Sequence, residues 1–239
     1  MSNRVNACFA VAILACLIPA AGVALMPYGQ DFEGLAQGDA GALAADGWLV
    51  YGNVFGPDWS YWYGYGSFPA PNGSGAFCQI VAGEGGAEQG AQQLVVYSDY
   101  NNANHADGAH IESNVFQELL IQPGDVTETW VFSFQAKRGN IEGDTTALAF
   151  IKTLDPNNGW ATTNFITVDL TGVPTTWGDY SLSILIDASL DGQILQFGFS
   201  NTATLYQGSS VFYDNINFYI TGPVATEETT WTEVKSLFR

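Results

Sequence analysis

The sequence predicts an all-β protein, an antiparallel two-sheet jelly-roll β-sandwich that carries a short helix in its C-terminal tail. From Gln30 onward, segments of five to ten residues rich in Val, Ile, Phe, Tyr and Thr alternate with Gly, Asn, Asp and Pro. No window of a dozen residues in this region keeps a helical period, and no repeat of fixed length is present. The spacing of these strands and turns is typical of a sandwich.

Each predicted strand is a short run of β-branched and aromatic residues bounded by turn formers. Inner and outer positions alternate clearly in two of them: Phe132 and Phe134 oppose Ser133, and Leu182 opposes Ser183. The predicted strands are the segments 48–55, 76–82, 92–100, 111–121, 130–137, 147–154, 164–170, 180–186, 194–200 and 211–220.

The first residues have the pattern of an export signal. Arg4 precedes an unbroken apolar run at 7–18, Pro19 ends the run, and small residues follow. We therefore expect a signal peptide at 1–24, cleaved near Ala24, with a lipoprotein signal around Cys16 or an uncleaved anchor as alternatives. About twelve continuous apolar residues are short for a membrane span. The expected mature chain is secreted, periplasmic or on the cell surface, without a membrane span, and its sandwich covers residues 25–221.

The remaining segment, 222–239, is predicted to be a linker followed by a short amphipathic helix. Thr230 and Glu233 have capping-box spacing, and Trp231 and Phe238 share one helical face. So short a helix is marginal in water and needs a surface to dock on. Either it folds back on the sandwich or residues 231–239 contact a protein partner.

The charge of the chain excludes several classes of partner. It has 24 Asp and Glu against 6 Lys and Arg, a formal net charge of −18, which becomes 5 − 24 = −19 without Arg4. Such a protein repels nucleic acid and anionic lipid and attracts cations. Cys8 and Cys16 lie in the predicted signal, so Cys78 has no intrachain disulfide partner. We expect it to pack as a small apolar residue, with a reactive thiol as the alternative.

The segment 56–69 is unusual because six aromatic residues fall within ten positions, interleaved with glycines. Exposed Trp and Tyr rings attract the weakly positive C–H groups of a pyranose, so we read this segment as a loop that forms a sugar platform. The alternative is that these rings cover a sheet edge or fill the core. The expected platform residues are Trp59, Tyr61, Trp62, Tyr63 and Tyr65.

Polar residues at 98–108 form a second candidate for ligand contact. Asp99 and Asn101 offer oxygen and amide groups that suit sugar hydroxyls, and Trp160 is a further candidate ring. The spacing does not match an EF-hand loop, and an ordinary turn-rich loop is the alternative. His105 and His110 lack a third metal ligand with convincing spacing.

A third pattern is split between the two ends of the sandwich. Residues 30–34 read Gln-Asp-Phe-Glu-Gly, and residues 211–216 read Val-Phe-Tyr-Asp-Asn-Ile. In these motifs the chain resembles the galactose-binding-like jelly-roll carbohydrate-binding modules appended to bacterial glycanases. The resemblance implies that Glu33 and Asp214 hold a structural Ca²⁺ between an opening and a closing strand, and it gives no sugar specificity. The alternative is that Asp214 lies exposed in a turn and Glu33 points to solvent.

Known catalytic patterns are missing from the sequence. No strand carries alternating carboxylates of the Glu-x-Asp-x-Glu type, no Gly-x-Ser-x-Gly elbow is present, and nothing resembles a phosphate-binding loop. Two carboxylates at a suitable separation would serve a glycosidase of another design. The sequence therefore favours a non-catalytic, calcium-stabilised protein that binds a polysaccharide or oligosaccharide. A structural or adhesive surface protein and a glycan-active hydrolase or lyase are the alternatives.

Overall fold

The computed structural model describes residues 25–221, which form a two-layer β-sandwich. The predicted signal peptide at 1–24 and the predicted linker and helix at 222–239 lie outside these residues. Among the residues described, no helix has both the length and the apolar character that crossing a membrane requires.

Strands account for most of the described chain, and the helices between them are single turns. One four-residue α-helix, α1, spans Ala42–Ala45. The 3-10 turns are Ala103–Asp107, Pro123–Asp125, Pro156–Asn158 and Ala188–Leu190. The strands are β1 Tyr28–Gln30, β2 Leu49–Phe55, β3 Tyr61–Pro69, β4 Cys78–Ala82, β5 Gln92–Val96, β6 His110–Leu120, β7 Thr129–Ile141, β8 Thr146–Asp155, β9 Ala161–Asp169, β10 Gly178–Leu185, β11 Ile194–Ala203 and β12 Ser209–Thr221.

The strands form two antiparallel sheets whose order is that of a jelly roll. The first sheet has the order β10-β7-β12-β5-β4, and β1 also pairs with β12. The second sheet has the order β3-β2-β6-β11-β8-β9. The pairing of β1 with β12 joins the two ends of the domain, because Tyr28 lies opposite Phe218 and Gln30 opposite Ile216. The predicted fold class is confirmed for the described residues.

Aromatic rings fill the space between the sheets. Phe199 of the second sheet stacks on Tyr213 of the first, with ring centroids 3.5 Å apart and an interplanar angle of 17°. Phe197 stacks on Phe218 in the same way at 4.3 Å and 13°. Such rings bury a large area and gain about 0.5–1.5 kcal/mol per pair beyond that burial. The core residues that surround them, such as Trp48, have no exposed surface.

The alternation that the sequence predicts for the first sheet is confirmed. Phe132 and Phe134 are buried, and Ser133 lies half-buried on the opposite face. Leu182 is also buried, whereas Ser183 is exposed. Cys78 is fully buried in the core, and burial raises the pKa of its thiol, as expected for a packing role rather than a reactive one.

Two local predictions are wrong. The aromatic segment is largely a strand and not a loop, because residues 61–69 form the edge strand β3, paired with β2 through two register shifts. The opening strand ends at Gln30, just before the Asp-Phe-Glu-Gly motif, which lies in a turn. Asp31 and Gln30 explain that turn, since their side chains accept hydrogen bonds from the backbone N–H groups of Glu33 and Phe32.

Gly198 tests the register of the second sheet. A Cβ atom there would clash with the Val115 carbonyl oxygen and lie 2.7 Å from the Phe116 Cα on β6. Gly198→Ala should therefore destabilise the protein by about 1–3 kcal/mol in urea unfolding. Gly172→Ala is the control, because nothing lies within 4 Å of its Cβ position. Equal stability of the two variants would contradict the register.

Candidate functional site

The outer face of the second sheet carries an exposed, fixed tryptophan at one end. Trp59 lies in the turn between β2 and β3 with a φ of 64°, and Ser60 closes the turn by donating to the Asp58 carboxylate. The Trp59 ring stacks on His110 at 3.9 Å and 9°, and Phe55 lies 5.9 Å away. Since 54% of Trp59 remains exposed, His110 supports one side of the ring while solvent reaches the rest.

Two tyrosines continue this aromatic surface along the sheet. Tyr61 is 59% exposed and meets Phe55 edge to face at 5.8 Å. The Tyr51 and Tyr61 hydroxyls both lie over Gly64, in the space that a side chain at that position would fill. Burial and the neighbouring Tyr61 raise the pKa of Tyr51. The Tyr51 hydroxyl therefore remains protonated at neutral pH and can donate to a ligand.

A row of polar groups lies beside these rings on β2 and β6. The amides of Asn53 and Asn114 donate to Glu112 Oε1 at 2.7 Å and 2.9 Å. These bonds hold the Glu112 carboxylate in one orientation, and its Oε2 atom has no hydrogen-bond partner among residues 25–221. A fixed carboxylate with a free oxygen is a good acceptor for a sugar hydroxyl.

The far half of the same face contains a second cluster of polar side chains. Glu118, Gln196 and Lys152 lie opposite one another on β6, β11 and β8. Gln196 donates to Glu118 Oε2 at 2.7 Å, while its own Oε1 is buried and has no hydrogen-bond partner within the described residues. Lys152 Nζ lies 5.3 Å from the Phe150 ring centroid, and burial lowers its pKa. A buried, unpartnered acceptor is costly unless a ligand or water binds it.

Sequence reasoning missed this second polar cluster and the aromatic rings beside it. Phe116 and Phe150 flank Gly198 on the outer face but are fully buried, and Phe165 lies 6.0 Å from Phe150. The alternation within 111–121 and 147–154 contained the signal, but it does not say which alternate positions face outward. From His110 to Glu118 the face extends about 26 Å, at about 3.3 Å per residue.

The predicted platform residues divide into two sets at β3. Trp59 and Tyr61 lie on the outer face, whereas Tyr63 and Tyr65 turn to the other side of the strand. There the Tyr65 hydroxyl donates to Asp99 Oδ2 at 2.6 Å, and the Tyr63 hydroxyl donates to Asn104 Oδ1 at 2.7 Å. Burial and Asp99 raise the pKa of Tyr65. This second set ties the edge strand to the loop at 97–109.

The remaining predicted contact residues lie at three separate positions. Trp62 occupies a register shift of β3 and packs over Gly56. Asn101 points toward Gly75, with its Oδ1 atom 2.8 Å from the Cβ position there. Trp160 is 59% exposed but follows β8 at the end opposite Trp59, because Leu154 pairs with Ile194 and Thr146 with Thr202.

Asp214 lies on β12 of the first sheet, and Glu33 lies in the turn that follows β1, so neither belongs to the outer face of the second sheet. Asp214 has no exposed surface, and its Oδ1 accepts from the Asn215 N–H at 2.6 Å. Its Oδ2 is buried and has no hydrogen-bond partner among residues 25–221. Burial raises the pKa of Asp214 to about 7, and the charges of Asp31 and Glu33 act in the same direction. The alternative of an exposed Asp214 is therefore wrong.

Glu33 fits a metal site less well than Asp214. It is exposed, and its Oε1 already accepts from the backbone N–H groups of Ala91 and Gln92 at 2.7 Å and 2.6 Å. Within residues 25–221, no three His, Cys, Asp or Glu side chains are grouped as metal ligands. A cation here would need backbone or amide oxygens in addition to the carboxylates.

No protein-family model and no curated protein matches the chain. Solved structures similar to it include carbohydrate-binding modules of families 22, 16 and 4. The C-terminal family 22 module of Clostridium thermocellum xylanase 10B is 14% identical, with a TM-score of 0.41, and the match covers 82% of this chain and 95% of that one.

Two further similar structures are parts of much larger proteins. Tailspike protein 4 of bacteriophage CBA120, described as an enzymatically active domain, is 14% identical over 78% of this chain, with a TM-score of 0.46. The CBM22-1 and GH10 modules of C. thermocellum xylanase 10B, complexed with xylohexaose, are 13% identical over 74% of this chain, with a TM-score of 0.40. This chain spans 21% and 26% of their lengths. Because these TM-scores are below 0.5, the fold assignment rests on the sheet topology.

Asp214 should make stability depend on pH. Its folded pKa of about 7 exceeds the ordinary value of 3.8, so its contribution is complete below pH 4 and is lost as pH rises through 7. The loss is on the order of 4 kcal/mol at most. In urea unfolding with a chelator present, the wild type should be less stable at pH 8 than at pH 5 because of this group. Asp214→Asn should lack this contribution.

His105 titrates in the opposite sense, because burial lowers its pKa and acid should destabilise its neutral folded form. Both proteins contain His105, so the difference between them isolates Asp214. Identical pH profiles would contradict the assignment.

Proposed function

We propose that this protein binds a neutral glycan along the outer face of the second sheet, without catalysing a reaction. The Trp59 ring carries the proposal: it is held against His110 at 3.9 Å and remains more than half exposed. A fixed, exposed ring loses little conformational freedom on binding and presents a face that attracts sugar C–H groups. Tyr61 extends the ring surface along the strand.

The polar groups of this face suit sugar hydroxyls. Glu112 Oε2 has no hydrogen-bond partner among residues 25–221 and is an acceptor for hydroxyl donors. The Tyr51 and Tyr61 hydroxyls can donate in return. Alternation of rings with such groups gives orientation as well as affinity.

The charge distribution supports a neutral ligand over an acidic one. The described residues contain three basic side chains, and only Lys152 lies on this face; Lys137 and Arg138 belong to the first sheet. Recognition of a polyanion normally requires several Lys or Arg contacts. With a net charge of −18, a uronate-rich chain would be repelled.

The carboxylates of the face favour binding over glycoside hydrolysis. Glu112 and Glu118 lie six residues apart on β6, which separates them by about 20 Å along the strand. Glycosidases place their two carboxyl groups about 5–10 Å apart. Each of the two also accepts a hydrogen bond from an amide, Asn53 for Glu112 and Gln196 for Glu118.

Calorimetric titration with xylohexaose, cellohexaose and mannohexaose tests this proposal. Trp59→Ala and Tyr61→Ala should each weaken binding about tenfold, because a stacked ring contributes about 0.5–1.5 kcal/mol beyond its buried area. Trp160→Ala is the matched control, since it removes an equally exposed ring at the opposite end. Loss of affinity in the control, or none in the other two, would refute this site. Release of reducing ends would favour the enzymatic alternative.

We further propose that Ca²⁺ binds between Glu33 and Asp214 and stabilises the native state. Supporting this, the buried Asp214 Oδ2 has no partner, and the Asp31 and Glu33 charges add to the cost of ionising it. The side-chain oxygens of Gln89, Gln93 and Asn215 belong to the same polar region and are suitable ligands for a hard cation.

Thermal unfolding with Ca²⁺ or with EGTA tests the calcium proposal. A site that binds only the native state stabilises it by about 2.7 kcal/mol at a free concentration of 100 times Kd. Asp214→Asn should abolish the calcium-dependent rise in Tm, whereas Asp191→Asn, at an exposed turn carboxylate, should retain it. No shift in the wild type would end the proposal.

A further inference from the structure

A groove at the Trp59 end of the sandwich belongs to neither site above. It has a volume of about 600 Å³ and opens between the ends of β5 and β7 and the start of β12. We call it the tyrosine groove; its walls include Tyr97, Tyr100, Tyr206, Asn140, Glu142 and Ser210. Its volume lies within the range of about 300–1,000 Å³ typical of small-molecule sites.

Three tyrosine rings line the groove, and the buried His105 ring connects two of them. Tyr97 lies 5.9 Å from Tyr100 with an interplanar angle of 15°, and Tyr100 lies 5.6 Å from His105 at 22°. His105 in turn lies 4.7 Å from Tyr206 at 32°. The Tyr97 and Tyr100 rings are therefore nearly parallel and form an apolar wall, while His105 lies behind them and Tyr206 is tilted.

Hydrogen bonds to the backbone fix this wall. The Tyr97 hydroxyl donates to the Ser74 carbonyl and the Tyr100 hydroxyl to the Gln207 carbonyl, both at 2.7 Å. Both hydroxyls are thereby used within the protein, so these two rings offer a ligand apolar surface. Because their positions are set before binding, a ligand pays little to order them.

Tyr206 completes the groove from a turn in an uncommon backbone conformation. Leu205 and Tyr206 have φ values of 51° and 57°, in the left-handed region that non-glycine residues seldom adopt. The Tyr206 N–H donates to His105 Nδ1, and 49% of Tyr206 is exposed. Such conformations persist where the surrounding structure enforces them, and they concentrate at ligand sites.

The polar groups at the rim identify the class of ligand. Glu142 Oε2 accepts from the Gly208 N–H at 3.0 Å. Its second oxygen, the Asn140 amide and the Tyr206 hydroxyl have no partner among residues 25–221. They supply a carboxylate acceptor, an amide and a hydroxyl above an apolar wall. Among residues 25–221, no Lys or Arg lines the groove, so an anionic ligand would meet Glu142 without compensation.

From this geometry we infer that the tyrosine groove is a second saccharide-binding site, which takes a neutral pyranose unit. The ring stacks by its C–H face on the tyrosine wall, and its hydroxyls bond to Glu142, Asn140 and Tyr206. The inference goes beyond the proposed function, because the groove shares no residue with the outer face of the second sheet. The loop at 97–109 separates the two, with Asp99 bonded to β3 on one side and Tyr100 in the groove on the other.

Titration of the full chain with xylohexaose, cellohexaose and mannohexaose tests the groove, with amide chemical shifts of Gly208 and Ser210 as a local readout. Tyr206→Ala should weaken binding at this site about tenfold and remove the shift changes. Leu205→Ala is the matched control: it lies in the same turn with the same backbone conformation and does not line the groove. Glu142→Gln, which can still accept the Gly208 bond, should weaken binding without lowering Tm.

The outcomes separate this site from the outer face. If Trp59→Ala leaves the Gly208 shifts and one binding event intact while Tyr206→Ala removes them, the groove is a site of its own. If Tyr206→Ala folds normally and binds each hexaose as the wild type does, the inference is overturned while the outer-face proposal stands. If Tyr206→Ala alone abolishes binding, the outer-face proposal fails instead. If the wild type binds none of the hexaoses, both the outer-face proposal and the groove inference are overturned. If it binds choline and none of the saccharides, the assigned ligand class is overturned.

Discussion

Stacking between aromatic rings of the two sheets is the interaction on which the rest of the structure depends. Phe199 and Phe197 of β11 contact Tyr213 and Phe218 of β12, so the central strand of one sheet is packed on the central strand of the other. With no disulfide among the described residues and a single ion pair, Lys137 with Glu84, this packing supplies most of the cohesion. It also sets the relative position of the faces that bear the candidate sites.

Small and large residues alternate across the outer face, and this alternation fixes the positions of its aromatic rings. Gly64 admits two tyrosine hydroxyls, and Gly198 lets Phe116 and Phe150 approach from both sides. These two glycines thus decide where rings and polar groups can lie on the face. His110 also fixes a ring, because its imidazole, at a regular position of β6, supports the Trp59 ring.

The fold was predictable because alternation and turn residues are local signals, and Phe132 and Phe134 are buried as those signals require. The candidate site was only partly predictable. The sequence singled out Trp59 and Tyr61, but the glycines and two register shifts of β3 disguised a strand as a loop. It could not separate Tyr65 from Tyr61, because a one-residue shift exchanges the faces of a strand. Gln196 and the tyrosine groove depend on tertiary packing, which local patterns do not contain.

The position of β12 affects how the chain folds. The last strand of the domain is the central strand of the first sheet, and it pairs with β1, β5 and β7. Until residues 209–221 have left the ribosome, β5 and β7 have no common partner, and the aromatic rings of β11 lack the surface that buries them. The domain therefore gains its stability late and through contacts distant in sequence, a topology associated with slow folding. Until β12 has been synthesised, the aromatic residues of the earlier strands are therefore open to aggregation or chaperone binding.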